Sequence, residues 1–179
     1  MSVARTLYNP LSHIWLRAKE PFRKITANSS YGRILEIGVT ARGLEDVGDI
    51  TSLRHRPSLL ETHGGSTGKQ TSGIPVKRGD ELLQIHFDGH SISSADELYH
   101  AVWETFSDHL SIMSPVDGRT IEIISDQHIT FEEGIDEETV LIGIETTEEE
   151  WKNINRQKCF VTGSEYCKII ESQPRGAFY

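Results

Sequence analysis

Short runs of apolar and β-branched residues, separated by turns rich in glycine, proline and polar side chains, recur along most of the 179-residue chain. Runs of this length and composition are typical of β-strands. We predict strands at 13–16, 34–39, 49–53, 81–87, 110–113, 120–124 and 140–144. Because many short strands with tight turns favour antiparallel pairing, they predict a mainly β fold, a small sandwich or barrel with peripheral helices.

Three short helices are indicated by their first residues. Thr40 can cap a helical turn over 41–46, and Thr147 can cap a helix that begins with Glu148, Glu149 and Glu150. Carboxylates in that first turn suit the positive end of the helix dipole. A last short helix is predicted over 165–171.

A further helix is predicted near residues 95–106. Ser94 and Glu97 have the spacing of a capping box. An apolar set follows, with members at helical spacing or flanking it: Leu98, Tyr99, Val102, Trp103 and Phe106. This stripe predicts either a helix packed on its own core or a face that docks a protein partner.

Length and composition indicate a single domain over 1–179, with a flexible loop at 54–75 that is rich in glycine, serine and threonine. The two cysteines cannot form a disulfide framework, and no apolar run is long enough to span a membrane. The first 19 residues are basic and lack the apolar segment of a secretory signal. We therefore expect a mitochondrial or cytoplasmic protein that is not secreted.

Charge is distributed unevenly along the chain. Residues 1–78 hold 12 basic and 6 acidic residues, whereas residues 79–151 hold 19 acidic residues and one basic residue, Arg119. Nucleic acids are bound through lysine and arginine, so the acidic middle argues against a nucleic-acid partner. No lysine occurs between Lys77 and Lys152.

Several motifs, in order, resemble the H-protein family of the glycine cleavage system, the lipoyl-carrying shuttle. They are SHIWL at 12–16, IGVTARGLEDVGDI at 37–50, VKRGD at 76–80, SPVDG at 114–118 and TIEI at 120–123, with looser matches in LIGI at 141–144 and SEYCK at 164–168. The resemblance implies a barrel-sandwich hybrid, the fold of lipoyl and biotinyl carrier domains. It also implies protein partners among the enzymes of glycine cleavage or lipoate metabolism.

The chain departs from the family where the lipoyl-lysine is expected. By resemblance, that lysine lies in a hairpin between the VKRGD and SPVDG turns, here expanded by a helical insertion at 88–109. One registration puts Gly89 at the lysine position, and another puts Ser93 or Ser94 there. None of these residues has an amine, so we expect no bound lipoate and no other cofactor.

Three polar residues of the same hairpin, His86, Asp88 and His90, form an alternative candidate site. At i, i+2 and i+4 they would share one face of a strand and could hold a divalent metal, provided Gly89 does not interrupt the strand. His100 and His109 could join them only if the predicted helix folds back.

Three functional hypotheses follow. The first is an H-protein-like binding or scaffold module that is not lipoylated and has no catalytic activity. The second is a carrier or accessory protein of glycine cleavage that uses Lys77 or Lys69. The third is a histidine-based metal site at the hairpin.

Overall fold

The computed structural model describes residues 6–19, 32–47, 49–55, 73–92, 103–124 and 134–173. The strands in these ranges are β1 Thr6–Asn9, β2 Ile14–Lys19, β3 Arg33–Val39, β4 Asp49–His55, β5 Pro75–Val76, β6 Glu81–Ile92, β7 Trp103–Met113, β8 Gly118–Ile123, β9 Ile142–Thr146 and β10 Val161–Thr162. The helices are α1 Ala41–Val47, α2 Glu148–Arg156 and α3 Gly163–Ser172. No helix among the described residues is long and apolar enough to cross a membrane.

The strands form two sheets, and every strand pair is antiparallel. The larger sheet has the order β10-β1-β2-β3-β9-β8-β5, and the smaller has the order β4-β6-β7. The prediction of a mainly β, antiparallel fold is therefore confirmed. Short connections favour this arrangement, because antiparallel strands can be joined by tight turns whereas parallel strands need long crossovers.

One hydrophobic core is shared by the two sheets. Leu16, Leu35 and Ile37 of the larger sheet belong to the same buried cluster as Ile85 and Ile112 of the smaller one. All five residues are fully buried. Fully burying a side chain of this size stabilises the fold by about 1.5–3 kcal/mol. The core therefore fixes the smaller sheet, and its long hairpin, against the larger sheet.

The predicted helix that begins after Thr147 is confirmed, and the last predicted helix is present but begins at Gly163, two residues earlier than predicted. The Thr147 hydroxyl accepts a hydrogen bond from the Glu150 N–H at 3.1 Å, and α2 buries Trp151. At the start of α3 the Glu165 carboxylate accepts the Thr162 N–H at 2.9 Å. These contacts satisfy backbone groups that a helix terminus otherwise leaves unpaired.

The prediction of an inserted helix is wrong where the structure describes the segment. Residues 88–92 continue β6, and residues 103–109 belong to β7, which pairs with β6 from Ile92↔Trp103 down to the base of the hairpin. Pairing with β6 satisfies the backbone groups that a helix would have satisfied internally. Residues 95–102 of the predicted helix lie outside the described residues.

The loop predicted at 54–75 is shorter than expected, because strands extend into it from both ends. Arg54 and His55 belong to β4 and pair with β6, and Pro75 begins β5. Residues 56–72 lie outside the described residues.

Candidate functional site

The β6–β7 hairpin is joined at its base by the two turns that carry the VKRGD and SPVDG motifs. The Gly79 N–H donates to the Ser114 carbonyl at 2.8 Å, and the Ser114 N–H donates to the Asp80 carbonyl at 2.8 Å. The Arg78 N–H donates to an Asp117 carboxylate oxygen at 2.7 Å. The hairpin therefore begins and ends where the motifs predict.

Polar side chains lie at alternate positions of β6 and face polar partners on β7. His86 is paired with His109, and their rings are stacked with centroids 5.5 Å apart. Asp88 accepts a hydrogen bond from the Ser107 hydroxyl at 2.5 Å. Strand pairing thus brings His109 to His86, whereas the sequence suggested that a folded-back helix would be needed.

The environment of His86 disfavours its protonated form. Partial burial lowers the pKa of the imidazole, and the positive charges of Arg54 on β4 and of His109 on β7 lower it further. The ring nitrogen Nε2 lies 3.2 Å from the Gln84 side-chain oxygen. Near neutral pH this geometry favours a neutral imidazole, which can bind a metal or a proton.

Gly89 does not interrupt β6, so positions 86, 88 and 90 alternate along one continuous strand. His90 pairs with Thr105 at the backbone. Among the described residues, no group of three or more histidine, cysteine or carboxylate side chains is placed to hold a metal ion. The metal site therefore stays a hypothesis.

The structure explains the glycine at position 89. Gly89 pairs with Phe106, and a Cβ atom there would lie 2.4 Å from Cζ of the Phe106 ring. The ring covers the glycine backbone, a cross-strand pairing that stabilises a sheet at a residue with no side chain. Phe106 is therefore part of the hairpin's own packing.

The structure describes only some of the remaining residues that were predicted to bind a partner or to occupy the lipoyl position. Trp103 is the first residue of β7. Ser93, Ser94, Leu98, Tyr99 and Val102 lie outside the described residues. Trp103 and Phe106, the C-terminal members of the stripe that was predicted to dock a partner, therefore lie on a strand and not on a helix.

A second candidate site, which the sequence did not predict, is a cavity of about 890 Å³ beside the larger sheet. Its walls come from β1, β2, the start of α1, one side of α3, and Glu137 and Glu138 in the segment before β9. Cavities that bind small molecules usually measure about 300–1,000 Å³. The volume of this one lies within that range.

Tyr166 of α3 is one of the residues that line this cavity. Its hydroxyl is 3.1 Å from Nδ1 of His13 and 2.9 Å from the Thr40 hydroxyl. Thr40 also accepts the Gly43 N–H of α1 at 3.1 Å, and its own N–H donates to the His13 carbonyl at 2.8 Å. One buried network therefore joins the β1–β2 turn, α1 and α3.

Trp15 forms part of the cavity wall and is held there by a glycine. It pairs with Gly38 on β3, where a Cβ atom would lie 2.2 Å from Cζ2 of the indole and 2.6 Å from the Thr139 carbonyl oxygen. The Arg17 guanidinium carbon lies 5.0 Å from the centre of the Trp15 ring. The tryptophan of the SHIWL motif and the glycine of the IGVT motif thus have a packing role.

Comparisons with known proteins give distant similarity to solved structures alone. No family model matches the chain, and no curated protein sequence matches it. Among solved structures, it is similar to a glycine cleavage system H protein from Mycobacterium marinum, with 14% sequence identity over 96% of this chain and 99% of that one, at a TM-score of 0.46. A similarity of this size carries no argument about function.

Proposed function

We propose that this chain is a binding module of the H-protein type, with a barrel-sandwich hybrid fold, that is not lipoylated and has no catalytic activity. The observation that carries the proposal is the absence of lysine from residues 79–151, which include the whole β6–β7 hairpin. A lipoyl group is attached through an amide to a lysine Nζ. No residue of this hairpin can form that bond.

The positions of the two turns support this proposal. The motif resemblance expects the lysine between VKRGD and SPVDG, and these turns are hydrogen-bonded to each other at the base of the hairpin. Lys77 lies at that base, and its N–H donates to the Asp80 carboxylate at 2.9 Å. Because β6 has 12 residues, Lys77 is separated from the far end of the strand by roughly 40 Å.

Intact-mass spectrometry after co-expression with a lipoate ligase tests the absence of lipoylation. A lipoylated H protein in the same cells is the positive control. We expect the control to gain the mass of a lipoyl group and this chain to gain none. A gain on any lysine would overturn the proposal, and its loss in a Lys77→Arg or a Lys69→Arg variant would support the carrier hypothesis.

We propose that the partners are proteins and that the distal part of the hairpin contacts them, in place of the predicted helix. The acidic charge of residues 79–151 would favour a basic partner surface and speed its association. By motif resemblance, the first candidates are enzymes of glycine cleavage and of lipoate metabolism.

Surface plasmon resonance against these purified enzymes tests the contact. We expect binding that weakens when Val102 and Trp103 are both changed to serine, with an unchanged circular dichroism spectrum. Met113→Ser is the matched control, because Met113 is an exposed apolar residue at the base of the same hairpin. Binding that is absent, or equally weakened in both variants, would contradict the assigned contact.

A further inference from the structure

The pairing of β6 with β7 places two imidazole rings side by side. His86 and His109 are directly opposite each other, and their rings are stacked with centroids 5.5 Å apart. His86 is half-buried and His109 is exposed, so an ion can reach the pair from solvent. Zinc binds imidazole nitrogens at about 2.0–2.1 Å, so two nitrogens on one ion lie roughly 3–3.5 Å apart. Small changes in the side-chain torsion angles bring a stacked pair to that separation.

Gln84 determines which nitrogen of His86 carries the proton. The Glu81 carboxylate accepts the Ser111 hydroxyl at 2.7 Å and the Gln84 side-chain N–H at 3.0 Å. Both hydrogen bonds lower the pKa of the Glu81 carboxyl, which is therefore ionised near neutral pH and can only accept. The Gln84 amide then presents its oxygen to Nε2 of His86, 3.2 Å away. Because that oxygen also only accepts, neutral His86 carries its proton on Nε2 and its lone pair on Nδ1.

Histidines that bind metals have this arrangement. One ring N–H donates to an oxygen of the protein, and the other nitrogen binds the ion. Nδ1 of His86 makes no hydrogen bond to a described residue. In His109, Nδ1 lies 3.7 Å from an Asp108 carboxylate oxygen, and Nε2 makes no hydrogen bond within the described part of the chain. Each ring therefore has one nitrogen available to an ion.

The charges on the three strands near the pair favour a cation. Glu81 and Asp88 lie on β6, Asp108 lies on β7 beside His109, and Asp88 pairs with Ser107 one position beyond His86 on the same face. Arg54 on β4, which pairs with Gln84, is the opposing positive charge. Three carboxylates against one guanidinium leave this part of the sheet negative, which favours a divalent ion between the two rings.

We propose that Nδ1 of His86 and Nε2 of His109 bind one divalent transition-metal ion, of the class that includes Zn²⁺ and Cu²⁺. Imidazole nitrogen suits these ions, whereas Mg²⁺ and Ca²⁺ prefer oxygen ligands. No group of three or more ligating side chains is in place among the described residues, so water or a donor from another molecule completes the coordination. His109, rather than His90, is thus the partner of His86. The ion needs neither a lipoyl group nor a protein partner, so this site is independent of the function proposed above.

Isothermal titration of the full chain with zinc chloride near neutral pH tests the site. We expect a single Zn²⁺ site that is weakened about ten- to a hundredfold or more by His86→Gln and by His109→Gln, since the loss of an outer hydrogen-bond partner alone has an effect of that size. His90→Gln is the matched control, because it removes a histidine of the same strand that lies outside the pair. No binding, binding that survives either substitution, equal weakening by His90→Gln, or equal affinity for Mg²⁺ would overturn the proposal.

Nitrogen NMR of the metal-free protein provides a second test, which does not depend on a variant that folds. We expect the His86 ring to carry its proton on Nε2 near neutral pH. Gln84→Met removes the accepting oxygen, and should mix the two tautomers and weaken Zn²⁺ binding about tenfold. A proton on Nδ1 of His86 in the unsubstituted chain would overturn the proposal. That result would leave the lipoylation and partner-binding tests unaffected.

Discussion

The Tyr166 hydroxyl is predicted to stabilise the junction of β1–β2, α1 and α3. It is 8% exposed as a residue and is hydrogen-bonded to both His13 and Thr40. Tyr166→Phe removes the hydroxyl and keeps the ring. Thr40 retains the Gly43 N–H as a donor, so the loss falls mainly on the two bonds to Tyr166. Each such bond is worth about 0.5–1.5 kcal/mol, so we expect a loss of about 1–2 kcal/mol in the free energy of unfolding.

Tyr8→Phe is the matched control for this prediction. Tyr8 stacks on Tyr166, but its hydroxyl makes no hydrogen bond to another described residue. In a chain of this size, 1–2 kcal/mol corresponds to a fall in Tm of roughly 2–8 °C. Thermal unfolding followed by circular dichroism should show this fall for Tyr166→Phe and a change near zero for Tyr8→Phe. Equal shifts in the two variants would refute the network.

Three other predictions follow from the geometry. Gly38→Ala places a Cβ against the Trp15 indole and the Thr139 carbonyl, and should lower stability by about 1–3 kcal/mol in urea unfolding, whereas Gly163→Ala, with its nearest contact at 3.3 Å, should cost less. Thr147→Ala removes the cap of α2 and should cost about 1 kcal/mol, seen as a lower Tm. Because the pKa of His86 is lowered in the fold, the folded state favours the neutral imidazole. The stability that this preference contributes should be complete above pH 6.5 and should be lost as the pH falls toward the lowered pKa. His86→Gln should therefore flatten the pH dependence of the free energy of unfolding, measured in urea, and an unchanged pH profile would contradict this.

The strands were predictable because their signal is local. Residues 34–39 and 81–87 are rich in branched residues, and turns flank them; they became β3 and the first part of β6. Register and sheet order were not predictable. The pairing of β3 with β9 joins residues more than 100 positions apart, and no local pattern encodes it.

Where the structure describes it, from Trp103 on, the predicted helix at 95–106 is a strand, and the reason lies in the pattern itself. Leu98, Val102 and Phe106 are four residues apart, and positions four apart share a face on a helix and also on a strand, where the period is two. The deciding contact is the pairing of β7 with β6, which is set by the hairpin as a whole. The same segment contains Val102, Trp103 and Thr105, whose residue types favour strands.

The cavity could not be read from the sequence because its central contacts are remote. His13 and Tyr166 are 153 positions apart, and Thr40 and Tyr166 are 126 apart. All three residues lie in segments that resemble the H-protein motifs or directly beside them. The available signal was therefore a set of conspicuous residues, without any indication that they meet.

Glycine occupies two positions within strands for the same physical reason. Gly38 faces Trp15 and Gly89 faces Phe106, and in each pair the ring occupies the space that a Cβ would need. The glycine of the IGVT motif and the tryptophan of the SHIWL motif are thus explained by packing between β2 and β3. Packing of this kind does not require a lipoyl group. The proposed function therefore rests on the hairpin between β6 and β7, where the sequence has no lysine, rather than on the motifs that frame it.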